Sequence, residues 1–205
     1  MDTPKIKNVF LNSEIDFFNN IINHISAPKL HDGSYMYDTE NPSSNINISK
    51  YLGRLQASDC FMPIPQEIYK KLYDISSVFF DSPHDMSGIV YVEYNNLYGE
   101  PNLPPHFDED RNDLIINYQL SSNTSWDVGV GLKNYQLEDN TALLFNGNKN
   151  IHWRPKKIFN DGEYVRMLFF RFCKREDPSV YPVISDKIKN EMFLEIYKFM
   201  DTIKQ

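Results

Sequence analysis

Six short runs decide the fold: IVYVEY (89–94), LIINYQL (114–120), VGVGL (128–132), TALLF (141–145), IHWR (151–154) and YVRMLFFRF (164–172). They are rich in β-branched and aromatic residues, which suit a pleated, half-buried surface. Turn formers separate them: Gly99-Glu100-Pro101, Ser121-Ser122-Asn123, Glu138-Asp139-Asn140, Asn146-Gly147-Asn148 and Asn160-Asp161-Gly162. Many short strands at close spacing predict a sandwich or barrel.

Outward from this centre the periodicity becomes helical. From Asn8 to Ile25, the residues Phe10, Leu11, Ile15, Phe18, Ile21, Ile22 and Ile25 recur at spacings of three and four. Ser13 is a candidate cap and Pro28 a stop. His31 to Asn47 is polar, holds Gly33 and Pro42, and reads as loop. A second helix is expected from Pro65 through Ile68, Leu72, Ile75 and Phe79. A third, capped by Ser185, carries Ile188, Met192, Leu194, Ile196 and Phe199. The expected architecture is mainly β with flanking N- and C-terminal helices, packed on one side, in one domain over 1–205. Its β core spans about 88–173, and the helical flanks are 1–87 and 182–205.

Composition narrows the class. An aromatic fraction of 14% argues for a packed core and against disorder. The absence of any run of about 18 apolar residues predicts no membrane span. The start, MDTPKIKNVF, lacks the apolar core of a secretion signal. The two cysteines, Cys60 and Cys173, are too few for a disulfide framework and suggest reduced thiols in a cytoplasmic protein. A net charge of −7 argues against nonspecific nucleic-acid binding, and Lys156-Lys157 reads as a solvated loop.

The chemistry begins at Pro105-His106-Phe107-Asp108. Residues two apart in a strand share a face, so His106 and Asp108 aim an imidazole and a carboxylate at one point. His152, opening a later strand, is the candidate third ligand. Two histidines and a carboxylate on one face of a metal leave three positions open, which suits Fe(II) chemistry with O₂. Arg166 lies within an apolar strand, where a buried anion would make its charge tolerable. A structural ion pair with a nearby acid is the other reading of Arg166. His24, His31 and His84 have no strand context and read as surface or helix-end residues.

This order, His-x-Asp, then His, then Arg, resembles the iron(II)/2-oxoglutarate-dependent oxygenases. In pieces, the resemblance covers roughly Tyr91 to Phe172. Tyr118 to Ser122 and Trp126 to Leu132 resemble the family's central strand pair. Asn140 to Gly147 resembles the strand before the second histidine, and Gly162 to Arg166 the strand bearing the cosubstrate's arginine. The resemblance implies a double-stranded β-helix, or jelly roll, with iron held by His106, Asp108 and His152. It also implies that Arg166 binds the distal carboxylate of 2-oxoglutarate. Arg154, two residues past His152, is a rival, although Pro155-Lys156-Lys157 beside it suggests solvent. Tyr118 and then Tyr94 are the candidate hydroxyls for the cosubstrate; Asn117 faces opposite Tyr118, so at most one of these two reaches the site.

The implied reaction consumes 2-oxoglutarate and O₂ and hydroxylates a C–H bond. Family members that halogenate lack the carboxylate, so Asp108 favours hydroxylation. A small molecule such as an amino acid, or a peptide side chain, is the expected substrate, with His31 to Gln56 as a candidate lid. Two other readings stay open. One is a cupin-type metal protein that does not use 2-oxoglutarate; the other is a noncatalytic jelly-roll binding protein.

Overall fold

The computed structural model describes residues 4–24, 35–37, 47–51, 54–58, 61, 63–80, 82–98, 101, 103–108, 112–175 and 186–203. In chain order the elements are β1 (Lys5–Lys7), α1 (Asn12–His24), β2 (Tyr35–Tyr37), β3 (Asn47–Tyr51), β4 (Arg54–Ser58), α2 (Gln66–Ser76) and β5 (His84–Asn95). Then follow β6 (Leu103–His106), β7 (Leu114–Ser122), β8 (Val128–Val130), β9 (Lys133–Tyr135), β10 (Thr141–Phe145), β11 (His152–Arg154), β12 (Tyr164–Lys174) and α3 (Asp186–Ile203). They form two antiparallel sheets. The larger has the order β1-β10-β7-β12-β5-β4-β3-β2, and the smaller β6-β11-β8-β9. From β5 to β12 the chain passes back and forth between the sheets, with β8 and β9 consecutive in the smaller one, which is the jelly-roll arrangement expected from the short β runs.

Alternation of side chains sorts the cores. From the larger sheet, Val90, Val92, Tyr94, Ile115, Leu143, Phe145, Val165 and Met167 point inward and meet Val128 and Val130 of the smaller sheet. Their neighbours Ile89, Tyr91, Ile116, Tyr118, Leu144, Leu168, Phe170 and Phe172 point outward. There they are covered by Phe18 and Ile22 of α1 and by Ile68 and Leu72 of α2. The third helix differs from expectation. Its Ile196, Met192, Phe193, Phe199 and Met200 pack on Ile151 and Trp153, against the opposite sheet. The helices therefore sandwich the β core instead of sharing one side, because β11 exposes an apolar outer face of its own.

Several sequence boundaries shift. Helix α1 starts at Asn12, and the carboxylate of Glu14 accepts from the Leu11 amide at 2.6 Å, so Ser13 lies inside the first turn. Helix α2 follows Pro65 as expected but ends at Ser76, short of Phe79. The described parts of the stretch 31–56, expected as loop and lid, are strands β2, β3 and the start of β4, which extend the larger sheet beyond β5. The remainder of that stretch lies outside the described residues, as do Pro28, Cys60 and Ser185. His84, expected at the surface, is buried at the start of β5, stacked on Tyr73 and Phe80, with its Nε2 hydrogen-bonded to Ser76 Oγ. No described helix is long and apolar enough to cross a membrane.

Close approach between β8 and β11 depends on one glycine. A Cβ at Gly129 would lie 2.1 Å from Cε2 of Trp153, whose side chain is buried and wedged against α3. Gly129→Ala therefore overpacks a site that cannot yield. We expect a loss of about 1–3 kcal/mol in denaturant unfolding. Unchanged stability would mean that Trp153 has room to move.

Candidate metal site and the cavity behind it

Strands β6 and β11 pair antiparallel with His152 directly opposite His106. The two imidazoles therefore lie side by side, ring centroids 4.1 Å apart. Asp108, two residues past His106, brings Oδ1 to 3.8 Å from His106 Nε2 and 3.6 Å from His152 Nε2. One ligand atom from each residue falls within 4.8 Å of the others. Each histidine is tied at its far nitrogen. His106 Nδ1 bonds to the Pro104 carbonyl at 2.9 Å and His152 Nδ1 to the Asn150 carbonyl at 3.0 Å. A carbonyl only accepts, so Nδ1 carries the proton and the Nε2 lone pair is left for the shared point.

The carboxylate is held by the turn after β10. The Asp108 amide donates to the Gly147 carbonyl at 2.9 Å. A Cβ on Gly147 would sit 2.4 Å from Asp108 Oδ2 and 2.9 Å from Ile115 Cγ1, so only glycine allows this approach. Burial, and then the neighbouring His152, lower the His106 imidazole to about 4. Burial alone would raise Asp108. The contact with His152, followed by the charges of Arg171 and His106, outweighs it and holds the carboxyl below its ordinary value. Both shifts favour the forms that bind a metal, neutral imidazole and carboxylate.

Behind these three side chains the inner face of the larger sheet presents three rows. Arg171, Ile115 and Phe145 are register partners in the first, Phe169, Asn117 and Leu143 in the second. Met167, Gln119 and Thr141 form the third. Asp108 lies at the first row, beside Ile115. The cavity between the sheets is lined by residues that include Arg54, Asn117, Arg154, Phe169 and Arg171 as well as the three candidate ligands. Its free volume is about 50 Å³, room for a water or two. A larger ligand therefore displaces side chains as it enters.

Arg154 is the unexpected resident. Instead of facing solvent beside Pro155, it is 2% exposed and shares the inner side of β11 with His152. Its Nη1 donates to the Trp126 carbonyl at 2.9 Å and its Nη2 to Met167 Sδ at 3.4 Å, while the guanidinium stacks 4.6 Å from the Trp126 ring. Among the described residues, no carboxylate forms an ion pair with it. Burial lowers its pKa to about 10. Tyr94 is also on the inner face, and its hydroxyl accepts from Arg54 Nη1 at 3.0 Å.

Two expected residues are not brought to the site. Arg166 has the parity of Leu168 and Phe170, which face the helices, whereas Val165, Met167 and Phe169 face inward. Its Nε donates to Glu93 Oε2 at 3.0 Å and its guanidinium stacks on Tyr164. The ion pair that was the other reading of this residue is the one present. Tyr118 also points to the helices, where its hydroxyl donates to Asn140 Oδ1 at 3.2 Å. Its neighbour Asn117 faces the cavity, with Oδ1 buried and without a hydrogen-bond partner. The sequence reading did not identify Arg54, Arg171 or Gly147. For Arg171 a signal existed, since it has the inward parity of Phe169.

Comparison places this architecture among solved structures. The viral collagen prolyl hydroxylase from Paramecium Bursaria Chlorella virus-1, in complex with 2-oxoglutarate, superposes with a TM-score of 0.55 at 11% identity, over 85% of this chain and 96% of that one. HygX from Streptomyces hygroscopicus, with nickel and 2-oxoglutarate bound, gives 0.54 at 10% identity over 84% and 83%. A prolyl hydroxylase from Trichoplax adhaerens, in complex with a hypoxia inducible factor peptide fragment, gives 0.51 at 15% identity over 82% and 83%. The fold is that of the 2-oxoglutarate-dependent oxygenases. No family model and no curated protein matches by sequence.

Two measurements probe this geometry. Gly147→Ala should push the Asp108 carboxylate aside and weaken divalent-metal binding at least tenfold while the chain stays folded; wild-type affinity would contradict the close approach. In the metal-free protein, the His106 ring should titrate by NMR near 4. A midpoint near 6.5, the value of a free imidazole, would mean that the ring is not desolvated.

Proposed function

We propose that the chain is an Fe(II)- and 2-oxoglutarate-dependent oxygenase, with His106, Asp108 and His152 as the iron ligands and Arg154 as the anchor of the cosubstrate's distal carboxylate. The observation that carries the reading is the buried Arg154. A fully buried guanidinium without a carboxylate partner is costly, and an anionic ligand removes that cost. Arg154 follows His152 by two strand positions, about 7 Å along β11, which would put it within reach of a dicarboxylate held at the metal. Arg54 and Tyr94 lie beside it and supply further donors.

Two histidines and one carboxylate would leave room at a bound iron for the cosubstrate and O₂. Iron held there would supply O₂ activation coupled to oxidative decarboxylation of 2-oxoglutarate, and with it the oxidation of a substrate C–H bond. The protein's own part is positional. The ties from Pro104 and Asn150 fix the imidazoles, Gly147 fixes Asp108, and Asn117 lies between the metal row and the Met167 row. Phe145, Val128 and Phe169 keep the space apolar, which strengthens every charge interaction inside it. Halogenating members of the family lack this carboxylate, so Asp108 favours hydroxylation as the outcome. A cupin-type site is less well supported, since among the described residues the candidate cluster is two histidines and one aspartate, with no fourth ligand. A small molecule or a peptide side chain is the proposed substrate; a structural neighbour binds a peptide fragment.

The test compares two arginines at equal metal content. Arg154→Ala should weaken 2-oxoglutarate binding by about 2–5 kcal/mol, since a buried charge pair loses one member. Arg166→Ala should leave it within twofold. The opposite pattern would assign the cosubstrate to the face that packs against the helices and sink this arrangement.

A further inference from the structure

The cavity holds a guanidinium that the proposed reaction does not use. Among its described lining residues, Arg154 and Arg171 both present a guanidinium to the inner space, and Arg54 lies beside Arg154. Arg54 and Arg154 lie together, each within 6 Å of the Tyr94 ring. Arg171 is separate. It sits in the metal row, level with Ile115, whereas Arg154 touches Met167 two rows away. Two rows span four strand residues, about 13 Å.

The Nε of Arg171 is buried with no hydrogen-bond partner. Among the described residues it forms no ion pair, and Asp108, whose carboxyl feels its charge, lies beyond ion-pair distance. Among the described residues, Phe169 and Ile115 flank it on the inner face and offer it no hydrogen-bond acceptor. Its place beside the metal, on the side away from Arg154, is where a substrate rather than the cosubstrate would bind.

We propose that Arg171 is a specificity-determining residue that grips a carboxylate of a small substrate and so holds a nearby C–H bond at the metal. This inference rests on the oxygenase reading and names its substrate class. A guanidinium offers two parallel N–H donors that match the two oxygens of a carboxylate. The limited free space favours a compact carboxylate over a bulky polyanion.

The experiment loads the full chain with Ni(II) and 2-oxoglutarate in the absence of O₂. Binding of free L-amino acids and short monocarboxylates is then measured by calorimetry, against their carboxamides and small phosphate monoesters. At least one carboxylate should bind the wild type, and its carboxamide should bind at least tenfold more weakly. Arg171→Gln should lose that preference while keeping 2-oxoglutarate affinity within twofold and an unchanged melting temperature. Arg171→Lys, which keeps the charge without the paired donors, should fall between the two. Failure of every carboxylate to bind, equal binding of the carboxamides, a preference for the phosphates, or a preference retained in Arg171→Gln would each overturn the proposal. Loss of 2-oxoglutarate or metal in Arg171→Gln would also overturn it, by placing Arg171 with the cosubstrate or with Asp108. Failure of the wild type to bind 2-oxoglutarate in the presence of metal would instead remove the oxygenase reading beneath it.

Discussion

The antiparallel pairing of β6 with β11 is the constraint on which the rest depends. It sets His106 opposite His152, and the turn back toward Gly147 sets Asp108 between them. Nothing in either strand alone makes a metal site. The register brings the candidate ligands together, because a slip of one residue would turn every side chain of β11 to the other face. His152 and Arg154 would then lie under α3, and Trp153 would enter the cavity. The apolar outer face of β11, locked by Trp153 against Phe199 and fitted over Gly129, holds that register. Helix α3, remote from the chemistry, thereby fixes the ligand geometry.

Charge placement follows from the same alternation. The inner faces carry Arg54, Arg154, Arg171, Asn117 and the three candidate ligands within an otherwise apolar lining. In such a setting unpaired charges are destabilising, and natural chains retain them where a ligand completes the set. The acid that might have paired with an arginine, Glu93, faces outward and takes Arg166 instead. Arg166 on the outer face is thus neutralised internally, while among the described residues Arg154 and Arg171 on the inner face form no ion pair.

The sequence made the His106, Asp108 and His152 cluster legible because its signal is local. His106 and Asp108 are two apart, and His152 opens an apolar run. It also made the β centre legible, since Thr141–Phe145 and Leu114 onward are strongly patterned. Which arginine faces the cavity was not legible, for a physical reason. Strand β12 is covered on both faces, so its apolar residues do not say which face is inner, and Arg166 reads as well as Arg171. Pro155-Lys156-Lys157 made Arg154 look solvated, although only the residues after it leave the strand. Strand β6 was hidden by Pro104-Pro105, which its edge position tolerates. Arg54 was hidden in a polar stretch that folds as an extra strand beside β5. In each of these cases the partner strand or the covering layer carries the missing information, and neither is adjacent in sequence.

The central claim is that one metal and one 2-oxoglutarate share this cavity, the second held partly by the first. Equilibrium binding of 2-oxoglutarate under anaerobic conditions, to chain loaded with Fe(II) and to metal-free chain, tests it most directly. The expected result is one Fe(II) and one 2-oxoglutarate per chain, with cosubstrate affinity falling at least tenfold when the metal is removed. Equal affinity with and without metal, or no binding in either state, would contradict it.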